Sequence, residues 1–129
     1  MPTRILEVTQ WDPYNRDCPT RRLLDRIGDR WTVLVIGSLE EGPRRFGELK
    51  KAVDGISQKM LTQTLRGLEE DGLVTRTVTP QIPPRVDYEL TELGRTLIEP
   101  LAGLESWART HMQEVLQARE AAARTPNSN

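Results

Sequence analysis

Residues 46–78, FGELKKAVDGISQKMLTQTLRGLEEDGLVTRTV, decide the fold of this chain. Phe46, Leu49 and Val53 give the first eight residues one apolar stripe, the mark of a short helix. Asp54-Gly55 punctuates a turn, and Ser57 is placed to cap a second helix that runs to Gly72. On a 3.6-residue wheel Leu61, Leu65 and Leu68 fall within about 60° of one another, with Ser57 and Thr64 at the edge of that stripe. Beyond Gly72 the period changes from helical to alternating, so that Val74, Arg76 and Val78 share one face of a strand. Two helices joined by a tight glycine-containing turn are a candidate helix-turn-helix.

Downstream, PQIPP at 80–84 makes a stiff loop that bars a regular ladder. Val86, Tyr88 and Leu90 then share one face of a second strand. The hairpin directly after the second helix makes the motif a winged one. Thr91 is expected to cap a long helix carrying Leu93, Leu97, Leu101, Leu104, Ala108 and Val115, with Pro100 kinking it or splitting it in two.

Upstream, Pro19 suits the first position of a helix over TRRLLDRI that stops at Gly28. Asp29 is placed to cap a helix over 30–41, RWTVLVIGSLEE. That segment is apolar on most sides, which predicts burial at the centre of the domain, with Trp31 in the core. The expected fold is mainly α with a small β-hairpin wing. Its parts are an N-terminal arm at 1–17, a winged helix-turn-helix at 18–97, a dimerisation helix at 98–120 and a disordered tail at 121–129.

The chain has 129 residues, 36% hydrophobic and 29% charged, which suits one domain that completes a modest core by pairing with a copy of itself. Cys18 and His111 are the single residues of their kinds. An intramolecular disulfide and a thiolate metal cluster within one chain are therefore excluded, and no metal or other cofactor is expected. No apolar run approaches the roughly 18 residues that span a bilayer, and the first ten residues lack the apolar centre of a secretory signal. The cytoplasm is the expected compartment, with no membrane partner. No nucleophile elbow or glycine-rich phosphate loop points to an enzyme.

The net charge of −1 gives no hint of nucleic acid. Its distribution says more, because residues 44–85 hold eight basic against five acidic residues, a net of +3, and leave the flanks at −4. A basic middle between acidic flanks is a weak footprint for a phosphate backbone. Opposite the leucine stripe of the second helix lie Lys59, Thr62, Gln63 and Arg66, with Gln58 at its start. These side chains hydrogen-bond to base edges and phosphates, and the helix carries no acid before Glu69. The plainer alternative is a solvated face. The rival function is a protein-interaction module, which would place large apolar anchors on that face.

Three segments together resemble the HxlR-type regulators, a branch of the MarR-like winged-helix superfamily. They are CPTRRLLDRIGDRWTVLVIGSL, GPRRFGELKKAVDGISQKMLTQTLRGLEEDGLVTRTV and PPRVDYELTELGRTL, which span residues 18 to about 97. The resemblance implies a homodimeric transcription factor, more often a repressor, whose partners are double-stranded DNA and a second copy of itself. Its second motif helix would enter the major groove and its wing would touch backbone or minor groove. Two such domains would read a pseudo-palindrome with half-sites about 34 Å apart. Carried over residue by residue, Ser57, Gln58, Lys59, Thr62, Gln63 and Arg66 fall on the recognition helix. Arg76 and Arg85 fall on the wing, and Arg44 and Arg45 precede the motif. Ser57 could instead serve only as a cap, and the arginine pair as loop charge.

The resemblance also makes Cys18 a candidate sensor of oxidants or electrophiles, against the alternative of a cysteine that merely packs. A helix N-terminus and nearby Arg21 and Arg22 favour a thiolate. A small-molecule effector is the second route to a signal. Trp11, Tyr14, Trp107 and Met112 are the pocket candidates, with plain interface packing as the alternative.

Overall fold

The computed structural model describes residues 11–124; residues 1–10 of the expected arm and 125–129 of the expected tail lie outside the described residues. Helices α1 (Pro19–Ile27), α2 (Arg30–Ser38), α3 (Phe46–Ala52) and α4 (Gln58–Glu70) lead into strands β1 (Val74–Thr79) and β2 (Arg85–Leu90), then helices α5 (Glu92–Arg95) and α6 (Ile98–Ala123).

Local chemistry sets most of these bounds. Asp29 accepts the Trp31 N–H at 2.8 Å, Ser57 Oγ the Met60 N–H at 3.0 Å and Thr91 Oγ1 the Gly94 N–H at 3.0 Å. Each side chain satisfies an orphan donor at a helix start. Gly55 (φ 89°) and Gly72 (φ 73°) hold left-handed backbone at the motif turn and after α4, where a side chain would be strained.

Val35 and Ile36 of α2, Leu39 just past its end, Leu49 of α3 and Leu61, Leu65 and Leu68 of α4 are buried together, closed by Val53, Ile56, Leu73, Val74, Leu90 and Leu101. The two strands pair antiparallel from Val74↔Leu90 to Thr79↔Arg85. Arg44 adds a third position to this sheet, exchanging backbone hydrogen bonds with Tyr88 at 2.9 and 2.8 Å.

Several expectations need correction. Helix α2 ends at Ser38 instead of 41 and buries one face only. Leu34 is 42% exposed, because α1, α3, α4 and α6 leave that side open. Trp31 is half-buried at the core's edge, with the Arg30 guanidinium 4.5 Å above its ring. The long helix after Thr91 is two helices, but Pro100 does not make the break. It sits in the first turn of α6, where its missing N–H has no intrahelical partner to lose. Helix α6 continues to Ala123, past the boundary expected at 120 and into the segment expected to be disordered.

Candidate nucleic-acid interface

The core stripe of α4 orients the rest of that helix. With Leu61, Leu65 and Leu68 fixed inward, Gln58, Lys59, Gln63 and Arg66 are exposed and Thr62 is half-buried beside them. Helix α3 approaches across the Gly55 turn, and the hairpin continues from Gly72. Between α4 and the hairpin lies a cleft of about 470 Å³ lined by Thr62, Leu65, Arg66, Glu69, Arg76 and Tyr88. Among the described residues neither Arg66 nor Arg76 is ion-paired. Two guanidiniums against the single Glu69 carboxylate leave the cleft positive, which suits a phosphate strand.

The other basic candidates have structural tasks as well. Arg44 Nε donates to the Ser38 carbonyl at 2.6 Å, tying the loop to the C-terminal end of α2. The Arg45 backbone N–H donates to Glu48 Oε1 at 2.8 Å, which closes the start of α3 while leaving its side chain exposed. Arg85 Nε lies 3.0 Å from Asp87 Oδ2, so an acid two residues on offsets much of its charge. Ser57, as noted, caps α4.

Cys18 is the N-cap residue of α1 and only 8% exposed, with its Sγ 3.4 Å from Thr20 Oγ1. Trp11 borders a cleft of about 460 Å³ with Pro19, Thr20, Arg22, Leu23, Arg26 and Asp71. The other pocket candidates do not join it there. Tyr14 is 90% exposed, Trp107 stacks on His111 with centroids 4.7 Å apart, and Met112 lies further along α6. Among the described residues no cluster of His, Cys, Asp and Glu is fit to hold a metal ion. No helix there is long and apolar enough to cross a membrane.

One connection was missed in the sequence. Arg26, in the last turn of α1, lies on α4 over Gly67 and pairs with Asp71 at 2.8 Å and Glu70 at 3.7 Å. A glycine inside an otherwise regular helix was the available signal, since that choice costs about 1 kcal/mol against alanine and needs a reason.

A helix-turn-helix followed by a two-stranded wing, with a long helix trailing behind, defines a winged helix-turn-helix protein. The chain belongs to the HxlR-like helix-turn-helix family, which it matches over residues 26–116. It is 40% identical over 114 residues to the uncharacterised HTH-type transcriptional regulator YtfH of Escherichia coli K12, covering 88% of this chain and 90% of that one. The structure of a transcriptional regulator of the same name from Salmonella typhimurium superposes with a TM-score of 0.77 at 38% identity, over 83% of this chain and 96% of that one. The redox regulator HypR in its oxidised form gives a TM-score of 0.66 at 41% identity, over 72% and 96%.

Proposed function

We propose that this chain is a homodimeric, sequence-specific DNA-binding transcriptional repressor that seats α4 in the major groove of a pseudo-palindromic operator. The observation that carries the reading is the joint layout of α4 and the wing. An exposed row of Gln58, Lys59, Gln63 and Arg66 lies beside a positive cleft walled by Arg66 and Arg76. The row offers amide and cationic groups to base edges, and the cleft offers a seat to one sugar-phosphate strand. No large apolar anchor stands in that row, which disfavours a protein-docking face.

Pairing of two chains is supported by α6. Of its 26 residues only Leu101 is buried, while Leu104, Trp107, Met112 and Leu116 stand exposed. A helix about 39 Å long with this much uncovered apolar surface is suited to bury it against a second copy.

In this reading Cys18 admits the signal. HypR, a structural neighbour, is a redox regulator. The Cys18 sulfur would attack a quinone ring carbon, forming a C–S bond while the ring gains the thiol proton and becomes a hydroquinone. The thiol is largely covered, yet α1 has no buried residue, so opening that end costs little. Arg26 sits about 12 Å further along the same helix and holds the end of α4. A displaced α1 therefore acts directly on the recognition helix.

The test is selection of genomic fragments by the purified protein, with and without diamide or quinone. Enrichment of a pseudo-palindrome that treatment abolishes, but not in Cys18→Ser, is the expected result. Enrichment that survives treatment refutes the thiol signal and keeps the regulator. No enrichment by a folded dimer at low salt refutes the DNA reading.

A further inference from the structure

The wing ends in an unusual tip. The ladder closes at Thr79↔Arg85, and the five residues beyond it are Pro80, Gln81, Ile82, Pro83 and Pro84. Ile82 is fully exposed, at 101% of its reference area. Three prolines fix the surrounding backbone, so the isoleucine is presented on a stiff support and loses little entropy on contact. From Gly72 to Val86 the chain contains no acid, and its charges there are Arg76 and Arg85. An uncovered aliphatic side chain on a rigid, acid-free tip fits a surface that is narrow, apolar-walled and flanked by phosphate.

The position of the tip names that surface. With a phosphate strand between Arg66 and Arg76, α4 lies on its major-groove side and the hairpin crosses to the other. Four residues of strand, about 13 Å, separate Arg76 from Pro80. That length carries the tip over one sugar-phosphate chain and into a minor groove about 6 Å wide and 7.5 Å deep. We propose that Ile82 reads the minor groove beside the sequence contacted by α4, selecting A·T pairs by excluding the guanine N2 amino group. The proposal rests on the DNA-binding reading above and adds a specificity-determining residue to it.

The selectivity follows from desolvation. A·T and G·C pairs both present acceptors on the minor-groove floor, and G·C alone adds an amino donor. An isoleucine pressed over that donor strips its water and returns no hydrogen bond, which is unfavourable. The side chain has no charge, so its contact displaces no counterions and leaves the salt dependence unchanged.

Once an operator has been selected, duplexes carrying A·T, inosine·C or G·C at the pairs under the wing test the proposal. Inosine lacks the N2 amino group, so inosine·C combines the minor-groove groups of A·T with the major-groove groups of G·C. The wild-type protein is expected to bind the A·T and inosine·C duplexes alike and the G·C duplex about tenfold more weakly. Ile82→Ala is expected to bind all three alike, with an unaltered salt slope. Arg76→Ala is expected to weaken all three and reduce the slope by about one. Ile82 is fully exposed, so its truncation leaves the fold intact, and circular dichroism checks this. The proposal is overturned if inosine·C behaves as G·C does, if Ile82→Ala keeps the discrimination, or if Gln81→Ala alone abolishes it. Loss of binding in Lys59→Ala with an inert Ile82→Ala overturns this proposal and spares the DNA reading. Failure to bind any selected duplex overturns both.

Discussion

Gly67 lies inside the thirteen-residue helix α4, where alanine should be better by about 1 kcal/mol. A Cβ there would overlap the Arg26 guanidinium, coming within 2.8 Å of its Cζ and closer still to Nη1. The obstacle is the far end of a flexible side chain, so Gly67→Ala is expected to expel Arg26 instead of distorting α4. The loss is then the Arg26–Asp71 pair, whose side chains are each 30% exposed, with Glu70 too exposed at 74% to matter. Such a pair is worth about 1 kcal/mol at most, so gain and loss nearly cancel. Gly67→Ala alone should therefore leave stability almost unchanged, and Arg26→Ala alone should cost about 1 kcal/mol. Gly67→Ala placed on Arg26→Ala should restore about 1 kcal/mol, a coupling of that size between two residues far apart in sequence. Urea unfolding at one fixed protein concentration measures it, since the stability of the proposed dimer would depend on concentration. With a slope near 2 kcal/mol per molar urea, the coupled step is a midpoint shift of roughly 0.5 M. If Gly67→Ala has the same effect in both backgrounds, Arg26 is not the reason for the glycine.

Four further outcomes follow from the structure. Gly94→Ala should destabilise by about 3 kcal/mol, because its Cβ would overlap the Leu73 carbonyl, which is backbone and cannot swing aside; thermal unfolding reads this. Gln63→Ala should relax base preference at particular operator positions, whereas Arg66→Ala should weaken binding across sequences and lower the salt slope by about one, both read by titration over a salt series. Trp107→Glu should leave the chain monomeric in sedimentation, against a wild type that sediments as the proposed dimer, while the helix content stays, since Trp107 is 56% exposed in the single chain.

Periodicity made the centre of this fold legible. Leu61, Leu65 and Leu68 fixed the inward face of α4, and Ser57, Asp29 and Thr91 announced three helix starts through local hydrogen bonds that need no tertiary context. The third sheet position at Arg44 was not legible, because one bridging residue has no period. Leu34 misled for a related reason: an apolar residue shows that a helix could be covered there, and only its neighbours decide whether it is. Pro100 was read as an interruption, when its place in the first turn makes it a starter. The Arg85–Asp87 pair could have been anticipated, since residues two apart share a face of a strand. The Arg26–Gly67 approach required the packing of α1 on α4, which no local pattern encodes.

The charge layout of α4 explains how a chain of net charge −1 can still present a DNA-binding face. Glu69, Glu70 and Asp71 crowd the C-terminal end of the helix, where the dipole disfavours acids and where their charge would repel DNA if it reached that far. Arg26 answers the first problem chiefly by pairing with Asp71. Distance answers the second. Gln58 and Glu70 are twelve residues apart, about 18 Å along the axis, against a screening length of about 8 Å at physiological salt. In the proposed complex a phosphate at the start of α4 would therefore meet the helix N-terminus and Lys59, with the acids screened behind them. Glu69 is the exception, since it lines the cleft between Arg66 and Arg76. There the excess of one positive charge is small, so in the proposed complex the strand would be held more by the geometry of two guanidiniums than by net charge.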